Sequence, residues 1–76
     1  MIIHVRTVGT SRTLQEGVKT ISLQVAEGIS VKQLIAHLQL PEWEIGFILV
    51  NNQPRLKDTI LKDQDNVTLI APLAGG

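Results

Sequence analysis

The chain has 76 residues, with seven Lys and Arg against seven Asp and Glu and a formal net charge of zero, so it makes one domain at most. That balance leaves no basic face of the kind nucleic-acid binders use, and the absence of cysteine excludes disulfides and thiolate metal clusters. No apolar run approaches the roughly 20 residues of a membrane helix, and the N-terminus lacks the pattern of a signal peptide, so a cytoplasmic protein is expected. Hydrophobic residues make up 43% of the chain, enough for a core, although a domain this small covers only about 60% of the surface its unfolded chain exposes.

Residues 1–8 read as a strand with Ile3 and Val5 on one face and His4 and Arg6 on the other. Gly9 to Gly17 is polar and glycine-punctuated, a hairpin loop. Residues 19–26 alternate, with Ile21, Leu23 and Val25 opposite Ser22 and Gln24, and their simplest partner is the first strand, antiparallel. Ser30 and Gln33 are spaced as a capping box, with Ile29 and Leu34 placed for a hydrophobic staple. Val31, Leu34, Ile35 and Leu38 then follow the spacing of a one-faced helix, which Pro41 ends near residue 39. Phe47 to Val50 reads as a central strand, and Asn51-Asn52-Gln53-Pro54 as a turn. Asp58 to Leu61 reads as one helical turn capped by Asp58. Asp63 to Asn66 is a second polar turn, and 67–71 the last strand, with Val67 and Leu69 on one face and Thr68 and Ile70 on the other. A mixed sheet of four or five strands with one main helix across one face satisfies this order. Its other face is left open, and exposed apolar sheet surface is usually an interaction surface. Ile70 is the expected contact residue there.

The segment Pro72-Leu73-Ala74-Gly75-Gly76 follows the last strand directly. Ala71 to Gly76 can extend to about 20 Å, long enough to enter another protein's active site. Two terminal glycines fit a narrow channel and accept any backbone angle. A frayed end or a cloning remnant is the plainer explanation of such a tail. A free α-carboxyl, with a pKa of about 3.3–3.7, is an anion at neutral pH and a poor electrophile. Acyl adenylation by another enzyme would activate it, after which a sulfur nucleophile could displace the nucleotide.

Side chains for catalysis are sparse. His4 on a strand and His37 on a helix are unrelated in position, and a metal site would need Glu42 and Glu44 as further ligands. Asp63 and Asp65 lack the rest of a calcium loop and read as turn residues. Ser11 and Ser30 sit in no nucleophile motif, and Trp43 reads as a lid over one end of the core.

Gly28-Ile29-Ser30-Val31, Ile48-Leu49-Val50-Asn51, Leu61-Lys62-Asp63-Gln64-Asp65-Asn66-Val67 and Pro72-Leu73-Ala74-Gly75-Gly76 together resemble the ThiS/MoaD family of sulfur carriers, which have the ubiquitin-like β-grasp fold. The resemblance covers the whole chain; its last two motifs are the specific ones. It implies an α+β β-grasp domain over residues 1–71 and a flexible tail over 72–76. It implies that an ATP-dependent adenylating enzyme of the ThiF/MoeB kind activates Gly76 and that a sulfur donor converts it to a thiocarboxylate. It also implies a downstream synthase that takes the sulfur, either thiazole synthase or the large subunit of molybdopterin synthase. Gly75, Ala74, Leu73, Pro72 and Ile70 would then meet partners, with no cofactor bound and no catalytic side chain. Gln64 stands where the family often has the glycine of Asp-Gly-Asp, and Asn66 is expected to take the positive φ instead. Pro72 and the long first hairpin lean toward the molybdopterin branch. The poor match of Ser11 to Gly17 to that branch's Leu-Arg-Glu stretch leans away, so the branch stays open. The rivals are a ubiquitin-like modifier joined to lysines through Gly76, and a β-grasp interaction module whose tail is incidental.

Overall fold

A computed structural model of the chain describes residues 1–10, 17 and 19–72. Strands β1 (Ile2–Val8), β2 (Thr20–Gln24), β3 (Phe47–Val50), β4 (Gln53–Pro54) and β5 (Asn66–Ile70) form one mixed sheet in the order β2-β1-β5-β3-β4. Helix α1 (Val31–His37) crosses one face. β1 pairs antiparallel with β2 and parallel with β5, and β5 pairs antiparallel with β3. The centre of the sheet is therefore β5 rather than β3, which lies between β5 and the two-residue edge strand β4. This is the ubiquitin-like β-grasp architecture.

Strand alternation sorts the side chains as their sequence pattern requires. Ile3 and Val5 of β1, Ile48 and Val50 of β3, and Val67 and Leu69 of β5 face α1, whose Val31, Leu34 and Ile35 complete the core with Leu38. Leu34 and Leu69 are both 0% exposed.

The helix is closed at both ends. Ser30 Oγ accepts from Gln33 N–H at 3.2 Å, and Gln33 Oε1 accepts from Ser30 N–H at 2.9 Å, the reciprocal capping box. The next two orphan donors are met from outside: Val31 N–H donates to Thr59 O and Lys32 N–H to Lys57 O. This explains why 58–61 is not the expected helical turn. Its backbone is drawn alongside the helix N-terminus, with an isolated bridge from Ile60 to Ser30, and serves as an external cap. At the other end Leu40 N–H reaches Ile35 O and Gln39 N–H reaches Ala36 O, a Schellman closure with Gln39 at φ 59°. The helix thus stops before Pro41 exerts its own restriction.

Asn51 and Asn52, both at positive φ, are the two central residues of a tight turn between β3 and β4. Gln53 and Pro54 are therefore strand rather than turn, and Pro54 falls on an edge that tolerates it. Trp43 is not a lid. It rides the crest of a short 3-10 turn, Glu42–Glu44, and is 77% exposed, while Leu40 and Ile45 on either side enter the core. Gln64 itself, not Asn66, adopts the positive φ of 69° in the turn before β5. The polar turn of that motif needs an αL residue at the glycine's position whatever its side chain. Of the hairpin loop expected over Gly9 to Gly17, residues 11–16, Ser11 among them, lie outside the described residues, as does residue 18.

Candidate functional site: the outer sheet face and the root of the tail

The face of the sheet turned away from α1 is organised in rows that cross the strands. Past the Ile2–Gln24 pair at the far margin, the first row is Ser22, His4 and Asn66; next come Thr20, Arg6, Thr68 and Leu49; nearest the tail are Val8, Ile70 and Phe47. The first row is polar and bonded to itself. His4 Nδ1 is 2.9 Å from Ser22 Oγ and His4 Nε2 is 3.0 Å from Gln64 Oε1. Asn51 Oδ1 accepts from Asn66 N–H at 3.0 Å, and Asn51 Nδ2 donates to Asp65. A shallow depression of about 360 Å³ lies over the first two rows, with His4, Arg6 and Asn66 among its walls. The row beside the tail is apolar throughout: Phe47 is 49% exposed, and Val8 and Ile70 are half-buried.

Ile70 is thus placed on the outer face, at the end of β5 where the chain leaves the sheet. Beyond it the backbone stays fixed for two more residues. Gly46 N–H donates to Ile70 O, and Ala71 N–H donates to Val8 O, each at 2.8 Å. Pro72 packs directly over Gly46. Leu73, Ala74, Gly75 and Gly76 lie outside the described residues. Gly76 is four residues beyond Pro72, an extended reach of ~13 Å rather than the ~20 Å that a segment free from Ala71 would have. A contact made at Gly76 would therefore fall close to the Val8–Ile70–Phe47 row.

On the other side of Phe47 a groove of about 420 Å³ runs between the start of β3 and the segment after β4, with Gly46, Pro54, Leu56 and Lys57 in its walls. Lys57 Nζ is 3.5 Å from Glu42 Oε1, so its charge is answered at the surface. Asp63 sits at the start of β1, where its carboxylate accepts from Ile2 N–H at 2.7 Å. That hydrogen bond, helped by Gln64 and the amino terminus, holds Asp63 below the usual carboxylate range. His4 and His37 are far apart in the fold, on the outer face of β1 and at the exposed end of α1. Among the described residues no three His, Asp or Glu side chains gather where a metal could be held, and no helix is long and apolar enough to cross a membrane.

A mixed sheet in this strand order, with one helix across one face and a chain leaving beside the apolar end of the other, defines a ubiquitin-like domain. The sequence matches the ThiS family over residues 5–76, and the chain belongs to that family. No curated protein matches it by sequence. Solved structures similar to it include a putative molybdopterin converting factor subunit 1 from Pyrococcus furiosus, 24% identical with a TM-score of 0.73 over 96% of this chain and 99% of that one. A chain in the complex of subunits 1 and 2 of the molybdopterin-converting factor from Helicobacter pylori is 27% identical, with a TM-score of 0.65 over 100% of both chains. SAMP1 from Haloferax volcanii is 18% identical, with a TM-score of 0.72 over 100% of both, a likeness of fold.

Proposed function

We propose that this protein carries sulfur for cofactor biosynthesis on the carboxyl group of Gly76. The observation that carries the reading is the junction of an exposed apolar row, Val8–Ile70–Phe47, with a short tail whose Gly75-Gly76 end falls inside the family match. The carboxylate oxygen of Gly76 attacks the α-phosphorus of ATP on an adenylating partner, and pyrophosphate leaves. A sulfide-level nucleophile from a donor then attacks the acyl carbon, and AMP leaves with the bonding electron pair. The product is a thiocarboxylate, which a downstream synthase consumes. The carrier supplies no acid, base or metal to these steps; its row beside the tail docks each partner in turn. The acceptor is a thiazole or molybdopterin synthase subunit, and the likeness to the H. pylori chain supports the second.

The test is the intact mass of the protein from its own cells, with and without a thiol-reactive trap. Replacing one carboxyl oxygen by sulfur shifts the mass almost as much as oxidising Met1 to its sulfoxide, so mass alone does not decide. Because the chain has no cysteine, trap adducts report a thiocarboxylate. An adduct mapped to Gly76 is the expected result. An unmodified end, in cells that are making sulfur-bearing cofactors, overturns the reading; a ladder of heavier conjugates through Gly76 would point instead to a protein modifier.

A further inference from the structure

We propose that Gly9 and Gly46 form a socket for the root of the tail, and that Gly46 is a positioning residue for the chemistry at Gly76, resting on the carrier reading above. The two glycines stand at the end of β1 and just before β3, on either side of the residues that follow β5. Gly9 has a left-handed φ of 75°, and a Cβ there would meet the Ala71 Cβ at 3.3 Å. Gly46 is different. Its φ is not in the left-handed region, so its backbone places no demand for glycine. The demand is space: a Cβ at Gly46 would stand 2.7 Å from Pro72 Cα, 2.8 Å from Pro72 Cβ and 2.9 Å from Pro72 N.

Two of those three atoms are main chain, so no side-chain rotation relieves the overlap. Carbon atoms in contact rest about 3.5–4.0 Å apart, so the Pro72 backbone would have to move by about 1 Å. Gly46 N–H also holds Ile70 O, and Ala71 N–H holds Val8 O. Socket and hydrogen bonds together keep the exit point of the tail in register with the apolar row. Proline adds to this by fixing its own φ. Gly76 is four positions from Pro72, so a segment drawn out between them into a partner's channel has little slack. A shift at the root is then passed to the carboxyl group rather than absorbed. Displacements of this size at a reacting group cost up to about 100-fold in rate.

The experiment uses the full chain and the host's own ATP-dependent adenylating enzyme, reading ATP–pyrophosphate exchange for wild type, Gly46→Ala, Pro72→Gly and the double variant. Gly46→Ala is expected to lower kcat between about tenfold and 100-fold with the carrier's KM unchanged, because the docking row is intact. In the double variant the glycine at 72 frees the φ that proline fixed and lets the chain step aside, so part of the loss is recovered. Native-state hydrogen exchange supplies a readout apart from activity: Ala71 N–H is expected to exchange faster in Gly46→Ala while Val5 and Leu69 stay protected. Should Gly46→Ala fail to fold, Pro72→Gly decides alone, since Pro72 is exposed and its replacement loosens the root without a clash; a lowered kcat at constant KM supports the socket and an unchanged kcat overturns it. Wild-type exchange with an equally active Gly46→Ala, or a loss confined to KM, overturns the positioning role and leaves the carrier reading standing. No exchange with wild type overturns the carrier reading, and the positioning role falls with it.

Discussion

Leu69 and Ile70 are consecutive residues of one strand, similar in size and hydrophobicity, and they have opposite fates. Leu69 is 0% exposed against α1, while Ile70 is half-buried on the far face, in a row that nothing in the described chain covers. The helix side of the sheet is sealed: its apolar residues interlock, and the helix that covers it has its backbone donors met by Ser30, Thr59 and Lys57. The outer side divides into a polar end that bonds to itself and an apolar end at the root of the tail. Burial on the first side holds the fold together. Exposure at the end of the second is a standing cost, which on the proposed carrier function a partner removes, so the two faces should answer differently to the same kind of substitution.

The largest effect is expected on the sealed side. Leu34→Ala empties the middle of the core and should destabilise the domain by about 2–5 kcal/mol in urea melts. A loss below 1 kcal/mol would mean that the helix face packs loosely and the two sides differ less than their burial implies. The matching substitution outside, Ile70→Glu, should leave the unfolding free energy within about 1 kcal/mol of wild type, as is usual for partly exposed positions. It should instead weaken binding to the adenylating partner by about 2 kcal/mol, the scale of an interface hot spot, read by titration calorimetry. Full binding by Ile70→Glu would remove the outer row from the docking surface. Ser30→Ala tests how the sealed side is held: losing one arm of the capping box should cost about 1 kcal/mol. The cost should sit near the low end of the range, because the N–H groups of Val31 and Lys32 keep their own acceptors, Thr59 O and Lys57 O.

The helix side was almost fully legible in the sequence, because periodicity and capping are local. Ile3, Val5, Val67, Leu69 and the Val31–Leu38 stripe announce their faces by spacing alone, and Ser30 with Gln33 marks the helix start. The errors fall where distant backbone decides. The stretch Asp58 to Leu61 has the composition of a helical turn, and only the proximity of α1's N-terminus makes it an external cap. Trp43 has the character of a core lid, yet three residues of 3-10 turn carry it outward while Leu40 and Ile45 occupy the space. At the candidate site, the outward placement of Ile70 could be read from strand parity. Gly46 could not, because an ordinary backbone angle gives no hint that a Cβ there would stand 2.7 Å from Cα of Pro72, 26 positions away along the chain.

The smallest effect concerns the polar margin. Asp63 accepts from Ile2 N–H, and its folded pKa lies below the ordinary 3.8. A carboxyl depressed in the folded state binds its proton more readily when unfolded, so its contribution to stability is present above the unfolded value and is lost as pH falls through the folded one. Asp63→Asn keeps an acceptor for Ile2 N–H but cannot carry the charge. The difference in stability between wild type and this variant should therefore be constant from pH 7 to about 5, shrink as the pH drops below the ordinary carboxylate value, and disappear in stronger acid. Because the carboxylate is fully exposed, added salt should reduce the difference at neutral pH as well. Urea melts of both proteins across that range check the sign: a difference that grew on acidification would show that Asp63 is held in its neutral form, and that this end of the sheet is tied by hydrogen bonds to a protonated acid rather than to a charge.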